Sequence, residues 1–283
     1  MATLPAMAAT LMIGDIRIDG VVDGEGRFDP LKTFRTSTPE MWADHQDLLG
    51  DDGLLPFTMG AFLVRHGDTV ALVDSGLGDA TLMGIVGGRM LDSLAALGVR
   101  PADVTDVIYT HLHADHIGWS TVGGAPTFPN ATHRCAAAEW QHFMVDTKDV
   151  DEVYAGSVNA PRNAFHHLGA VLDRFETFDG DGPLLPGIDT IAPPGHTPGS
   201  TVVVVSSGTE RMVMLGDAVH CPVQLLESEW GALFDVDPVM ARRTRNALAA
   251  ELEGTGTHVG FSHVPHLTPG RLIRAEGRRR WVV

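Results

Sequence analysis

The chain of 283 residues and 30.3 kDa is long enough to bury one large core or two small ones. Its 20 Lys and Arg against 36 Asp and Glu leave a formal charge of −16, which repels phosphate backbones and anionic membranes and argues against nucleic-acid binding. With 44% hydrophobic and 20% charged residues the composition is globular, and two cysteines, Cys135 and Cys221, cannot build a disulfide framework, so a reducing, cytoplasmic setting is expected.

The apolar opening has no Lys or Arg before Arg17, and Asp15 interrupts it, so it lacks the basic start of a signal peptide. No run approaches the roughly 18 apolar residues of a membrane-spanning helix. Ile13, Ile16, Ile18 and Val21 predict a strand over 11–22. Residues 58–74 read as a hairpin turning at Gly67-Asp68. The spacing of Leu82, Ile85, Val86, Met90, Leu94 and Leu97 predicts a helix over 79–97, with Gly98 just past its end. A short helical turn at 101–104 then leads into a buried strand over 106–110.

Helices are predicted over 136–145 and 161–172, separated by the polar stretch 147–160, whose Tyr154 is a candidate for a mobile lid. Strands follow over 174–178, 187–192, 201–206 and 211–215. A helix over 238–252 begins with proline, and strands over 257–260, 271–275 and 279–283 follow it. The arginines at 278–280 suit the solvated face of an edge strand. This order lacks strict β-α alternation and favours an α+β architecture of two packed sheets with helices outside. Without an internal repeat or low-complexity linker, residues 1–283 read as one domain, with 1–57 as an extension packed on it.

Fourteen histidines are the compositional oddity, and their spacing makes them informative. Thr110-His-Leu-His-Ala-Asp-His-Ile-Gly118 places four potential ligands within six positions at a strand's end. In extended chain His111 and His113 point the same way and can share one metal. Asp115 and His116, past the turn, suit a second metal. Imidazole and carboxylate donors fit Zn²⁺, and also Mn, Co or Fe. One loop cannot complete either site. Further candidates stand at other strand ends: His196 in Pro193-Pro-Gly-His-Thr-Pro-Gly199, Asp217 after 213–216, and His263 after 259–262, with His266 as its rival.

His111-Leu-His-Ala-Asp-His116, Gly195-His-Thr-Pro-Gly199, Gly216-Asp217 and the late His263, taken in this order, resemble the metallo-β-lactamase-fold metallohydrolases over most of the chain. That resemblance implies a four-layer αββα sandwich carrying two metal ions. It assigns His111, His113 and His196 to the first ion, Asp115, His116 and His263 to the second, and Asp217 as a bridge. Where family β-lactamases typically carry cysteine this chain has Asp217, which disfavours β-lactam hydrolysis. His220 stands where the quorum-signal lactonases of this fold carry tyrosine, and Ser200 where they and the glyoxalase II group usually have histidine. The segments 217–224 and 270–277 are most similar to the methyl parathion hydrolase and lactonase-like branch.

The expected activity is a dinuclear metal-dependent hydrolysis. A metal-bridging hydroxide would attack a small ester, lactone or phosphotriester while the ions polarise the oxygen and stabilise the leaving group. Asp217 would fix the hydroxide and Asp115 would shuttle a proton. His220 is a candidate for both catalysis and substrate binding, alongside Trp119, Leu225 and Phe234; Phe57, Trp140 and Phe165 also lie in segments that could overhang the metals. Asp74 is a candidate hydrogen-bond partner for a ligand histidine, and Ser200 reads as a turn residue rather than a nucleophile. No cofactor beyond the two ions is expected. The expected partner is a small-molecule substrate, with neither nucleic acid nor membrane, and a homodimer is left open. The rival reading is an iron-dependent oxidoreductase of persulfide dioxygenase or diiron type on the same fold.

Overall fold

In the computed structural model, which describes residues 10–34, 36–146 and 161–283, apolar side chains alternate across a seven-stranded sheet. Its strands are Thr10–Ile13 (β1), Ile16–Phe28 (β2), Leu55–His66 (β3), Thr69–Val73 (β4), Asp106–Ile108 (β5), Thr132–Ala136 (β6) and Phe175–Phe178 (β7), and their spatial order follows the chain. Pairing is antiparallel from β1 to β4 and parallel from β4 to β7. A second sheet holds Gly182–Leu185 (β8), Ile188–Ile191 (β9), Val202–Ser207 (β10), Glu210–Met214 (β11) and His258–Gly260 (β12), with only its last pair parallel.

The period of two lets one strand serve two cores. Phe62 and Val64 of β3 and Val73 of β4 pack with Val203, Val205, Met212 and Val259 of the second sheet. Ala61, Leu63 and Leu72, on the opposite face, pack against Met90 and Leu94 of helix α1 (Met90–Ala96) and Leu168 of α2 (Pro161–Leu168). Helix α3 (Pro238–Leu252) adds Leu248, Ala249 and Leu252 to the core that holds the second sheet. Its start is set by Asp237, whose carboxylate accepts from the N–H groups of Val239 and Met240, with Pro238 in the first turn. The four layers are the α+β sandwich expected from the element order.

Several boundaries differ, each for a local reason. The strand predicted over 11–22 is a hairpin, because Gly14 takes φ 56° between β1 and β2. Residues 10–28 are therefore the edge of the large sheet rather than a layer added to it. The helix predicted over 79–97 is confined to Met90–Ala96; before it lies a short hairpin of Thr81–Leu82 and Ile85–Val86, whose tip holds Met83 at φ 49° and Gly84 at φ 85°. The apolar spacing there is helical, but the glycines at 84, 87 and 88 end the helix toward its N-terminus. The helix predicted over 136–145 is one α-turn, Ala137–Trp140, running into a π-helix, Gln141–Asp146, and α2 gives way to a 3₁₀ turn, Gly169–Arg174. The stretch 147–160, with Tyr154, lies outside the described residues. Arg271–Ala275 (β13) and Arg278–Val282 (β14) form a separate hairpin, and Arg279 reaches Glu253 at 2.9 Å instead of pointing freely to solvent. Among the described residues no helix is long and apolar enough to cross a membrane.

One irregularity organises the region in front of the site. The β2–β3 register shifts between Val22 and Gly24, leaving Asp23 as the extra residue of a bulge. Its buried carboxylate accepts from the backbone N–H groups of Leu77, Gly78, Gly88 and Met90 and from the indole N–H of Trp119, at 2.7–3.0 Å. Both ends of the segment carrying the 81–86 hairpin are tied to this one side chain.

Candidate metal centre

Loops at the ends of strands from both sheets bring the ligand candidates together. His111 and His113 leave β5 in extended chain, and Asp115 and His116 ride on the short helical turn Ala114–Ile117. His196 lies between β9 and β10, Asp217 in the turn Gly216–Ala218 after β11, and His263 just after β12. Gly216 takes φ 53°, and a Cβ there would meet Thr110 Cβ at 2.8 Å; only glycine lets the Asp217 turn close on the histidine loop. Gly195 likewise admits the backbone of Ala241, which seats the His196 loop on α3.

The geometry concentrates lone pairs. Nε2 of His111, Nδ1 of His113 and Nε2 of His196 lie 2.9–3.2 Å from one another. Three ring nitrogens meeting at one point cannot satisfy each other with hydrogen bonds, because each is either a donor or an acceptor. A shared cation resolves the conflict. Asp217 Oδ2 lies 3.0 Å from His263 Nε2, 3.5 Å from His116 Nε2 and 3.6 Å from His196 Nε2, while Asp217 Oδ1 and His116 Nε2 are buried without a hydrogen-bond partner. Asp115 Oδ2 is 3.7 Å from both His116 Nε2 and His263 Nε2. Ligand atoms of His111, His113 and His196 form one cluster within 4.8 Å, and those of Asp115, His116 and His263 another; Asp217 lies within that distance of His111 and His116. All seven donors are buried, and this set fits two metal ions.

The electrostatics follow from the crowding. Burial and neighbouring imidazoles push His111 and His113 well below the ordinary histidine range. Burial also acts to lower His116, but Asp217, Asp74 and Asp115 outweigh it and raise His116 well above that range. Burial acts to raise Asp217, yet His263, His116 and His220 hold it well below the usual carboxylate range.

A second set of partners aims the ligands. Asp74, at φ 69° after β4, is 2.9 Å from His116 Nδ1 through Oδ2 and accepts from the Thr110 N–H and hydroxyl and from the Ser262 hydroxyl. Thr110 Oγ1 in turn lies 3.1 Å from His111 Nδ1. His263 Nδ1 faces the carbonyl of Thr58 at 2.9 Å, and His196 Nδ1 faces Asp235 Oδ1 at 3.3 Å. Asp235 is ion-paired to the fully buried Arg245 at 3.0 Å. Glu139, also buried, accepts from Leu112 N–H, Gly199 N–H and the Thr197 hydroxyl, cross-bracing the His111 and His196 loops. Burial raises its carboxyl against these three donors. Nothing in the sequence around Glu139, Asp235 or Arg245 marks them. No motif surrounds them along the chain, and only the fold brings them to the candidate ligands.

The remaining candidates divide. His266 turns outward at φ 55° and meets Glu25 at 2.7 Å, away from the cluster. His220 Nε2 lies 3.2 Å from Asp217 Oδ2, and neither of its ring nitrogens has an aligned hydrogen bond. With Phe234 and Phe57 it lines a narrow cleft over the cluster, joined by Phe28, Met59, Leu82 and Met83, of which periodicity singles out only Leu82, and that as a helix position. Phe57 stacks on His263 with ring centroids 3.9 Å apart. Trp119 is instead buried with its N–H given to Asp23, and Leu225 lies in the inter-sheet core. Trp140 packs on Phe175 at 4.6 Å. None of these three lines the cleft, nor does Phe165. Ser200 Oγ accepts from the Thr197 N–H at 2.9 Å, as a turn residue does.

Facing sheets with paired ligand clusters at their edge define a metal-binding αββα domain, and the chain belongs to the metallo-beta-lactamase superfamily, whose family model matches residues 61–263. It is similar to an N-acyl homoserine lactonase, AttM of Azorhizobium caulinodans, at 36% identity over 180 residues, 62% of this chain and 63% of that protein. AttM of Rhizobium radiobacter is 32% identical over 126 residues, 44% of each chain. The match thus spans less than two thirds of the length of these curated relatives. Among solved structures, the hydrolase AbOPH of the beta lactamase superfamily superposes with a TM-score of 0.83 at 28% identity, covering 99% of this chain and 98% of that one. AidC, a dizinc quorum-quenching lactonase, shares the fold at the same TM-score and 24% identity, covering 98% of this chain and 97% of that one.

Proposed function

We propose that the protein is a dinuclear metal-dependent hydrolase of small uncharged lactones or esters, acting within the reducing interior of the cell. His111, His113 and His196 would hold one ion, Asp115, His116 and His263 the other, with Asp217 between them. Zn²⁺ suits this nitrogen and carboxylate set. Such ions supply Lewis acidity and a water acidified toward neutrality. The carrying observation is that Asp217 Oδ2 stands 3.0–3.6 Å from ring nitrogens of three separate loops. The similarity to N-acyl homoserine lactonases supports the substrate class, and the free, buried Cys135 and Cys221 suit a reducing compartment.

The chain's own residues then have defined tasks. Asp217 keeps the two clusters in register and is held ionised by its histidines, so it can orient an attacking water. Asp115, at the edge of the cleft, can carry a proton to the departing alkoxide. His220 faces the same space and can donate a hydrogen bond to the carbonyl oxygen as charge develops there. Phe28, Phe57 and Phe234 exclude water around the reacting group. Metal analysis and a panel of lactones, aryl esters and phosphotriesters test this reading. Lactone or ester cleavage at two ions per chain supports it. Iron with oxygen uptake and no hydrolysis replaces it with the oxidoreductase.

A further inference from the structure

The two ligand sets are unequally supplied with negative charge. Asp115 brings a carboxylate to the second set, and Asp74 stands 2.9 Å behind His116. The first set, His111, His113 and His196, consists of imidazoles alone, with Asp217 shared between the sets. Asp235 lies behind His196, but Arg245 already neutralises it at 3.0 Å. Among the described residues one further buried carboxylate reaches both loops of the first set, and it belongs to Glu139.

Glu139 follows β6 on the turn Ala137–Trp140. One of its oxygens accepts from the N–H of Leu112, between His111 and His113, at 2.9 Å. The other accepts from the Gly199 N–H at 3.0 Å and the Thr197 hydroxyl at 2.7 Å, just past His196. Backbone donors on both oxygens are the partners of an ionised carboxylate. The approach is close, since a Cβ on Gly199 would run into the Glu139 backbone. Buried Asp19 has Arg17 and Arg65 as counter-charges, and buried Asp23 has five N–H donors. Glu139 has three donors and, among the described residues, no Lys or Arg paired with it. A buried charge calls for a counter-charge or a metal. The loops that Glu139 grips converge where the nitrogens of His111, His113 and His196 meet.

We propose that Glu139 is the counter-charge of the first ion, a positioning residue that acts through the two loops it grips. Its charge favours a cation among the three imidazoles, and a cation there relieves the buried carboxylate in return, since such coupling is reciprocal. The inference rests on the ligand sets proposed above and on no substrate. The first seat then depends on Glu139, while the second depends on its own carboxylates, Asp115 and Asp74.

Zinc binding is measured against a chromophoric chelator in two backgrounds: His263→Ala, which leaves the first set complete, and His113→Ala, which leaves the second complete. Circular dichroism checks that each protein is folded. Glu139→Gln keeps the size of the side chain and removes its charge. It should weaken zinc about 10–100-fold in the first background, the range for losing a partner that stands behind a ligand, and far less in the second. Thr197→Val separates charge from bracing, because it removes one of the three donors and leaves the carboxylate. Zinc affinity in the first background should therefore hold or rise. Equal losses in Thr197→Val and Glu139→Gln would mean that Glu139 only braces the loops, and would overturn the proposal. An equal loss in both backgrounds, or undiminished affinity in Glu139→Gln, overturns it too. If Glu139→Gln does not fold, the direction of the change in Thr197→Val decides alone. The selective loss with no hydrolysis of any ester or lactone leaves the role of Glu139 standing and overturns the hydrolase reading. Ester or lactone cleavage by a protein whose zinc affinity ignores Glu139→Gln does the reverse.

Discussion

Asp235 faces His196 with one carboxylate oxygen and Arg245 with the other, at 3.3 and 3.0 Å, so the aim of one candidate ligand is set by a helix on the far side of its loop. Arg245 also approaches the carbonyl of Ala218, beside Asp217, at 3.4 Å. A carboxylate behind a ligand histidine fixes the ring and raises its basicity. Asp235→Asn should keep the fold and weaken metal binding about 10–100-fold, read by competition with a chromophoric chelator. Asp235→Ala strands a buried guanidinium and should cost about 3–5 kcal/mol in chemical unfolding. Unchanged metal affinity in the asparagine variant would show that His196 needs no such partner.

Asp217→Asn removes the charge that the ligand histidines surround. Hydrolysis should fall roughly 100-fold or more, the scale of losing one electrostatic element aimed at a reacting centre, while circular dichroism stays native. Metal content measured alongside separates a lost ion from a lost charge. Near-wild-type turnover with both ions retained would remove Asp217 from the role proposed for it.

Asp23 gives a stability prediction far from the ligands. Replacing it with alanine leaves four backbone N–H groups and the Trp119 indole without their acceptor. Each buried orphan costs about 1–3 kcal/mol. Even with water relieving several of them, Asp23→Ala should lose about 3 kcal/mol or more in urea unfolding. The 81–86 hairpin should also gain amide hydrogen exchange. A loss below about 1 kcal/mol would mean that the bulge is held by the sheet alone.

His133 supplies a pH dependence. It is buried in β6 beside the Tyr109 hydroxyl at 2.7 Å, and burial, with a smaller contribution from Arg174, lowers its pKa from 6.5 to about 4. The unfolded chain therefore takes up a proton from pH 6.5 downward that the folded protein refuses until about pH 4. Stability should fall with decreasing pH across that window, by up to ~1.4 kcal/mol per unit from this residue, and level off below it. The difference between wild type and His133→Gln, both unfolded in chelator, isolates the effect; parallel stability curves for the two proteins would refute it.

The loop at 111–116 is legible in the sequence because four donors crowd six positions, and a core tolerates that only around a cation. The layered fold is legible because strand alternation and the proline-started α3 are local signals. The segment before α1 misleads for the opposite reason: its apolar spacing is helical while its glycines and the distant Asp23 dictate a hairpin. Glu139, Asp235 and Arg245 are illegible in principle, since each acts through a partner that sheet pairing chooses. Trp119 shows the same limit. Its place beside the histidine loop suggests a substrate contact, yet its N–H is taken by an aspartate 96 positions earlier.

The donors of each cluster are scattered from His111 to His263, with His196 and Asp217 in the half of the chain that forms the second sheet. A chain emerging during translation therefore owns neither complete set early: the first waits for His196, and the second stays open until residue 263 has been added. With the ligand sets proposed above, ion capture would be completed late in biosynthesis. Any truncation upstream of His263 should yield a protein able to grip one ion at most.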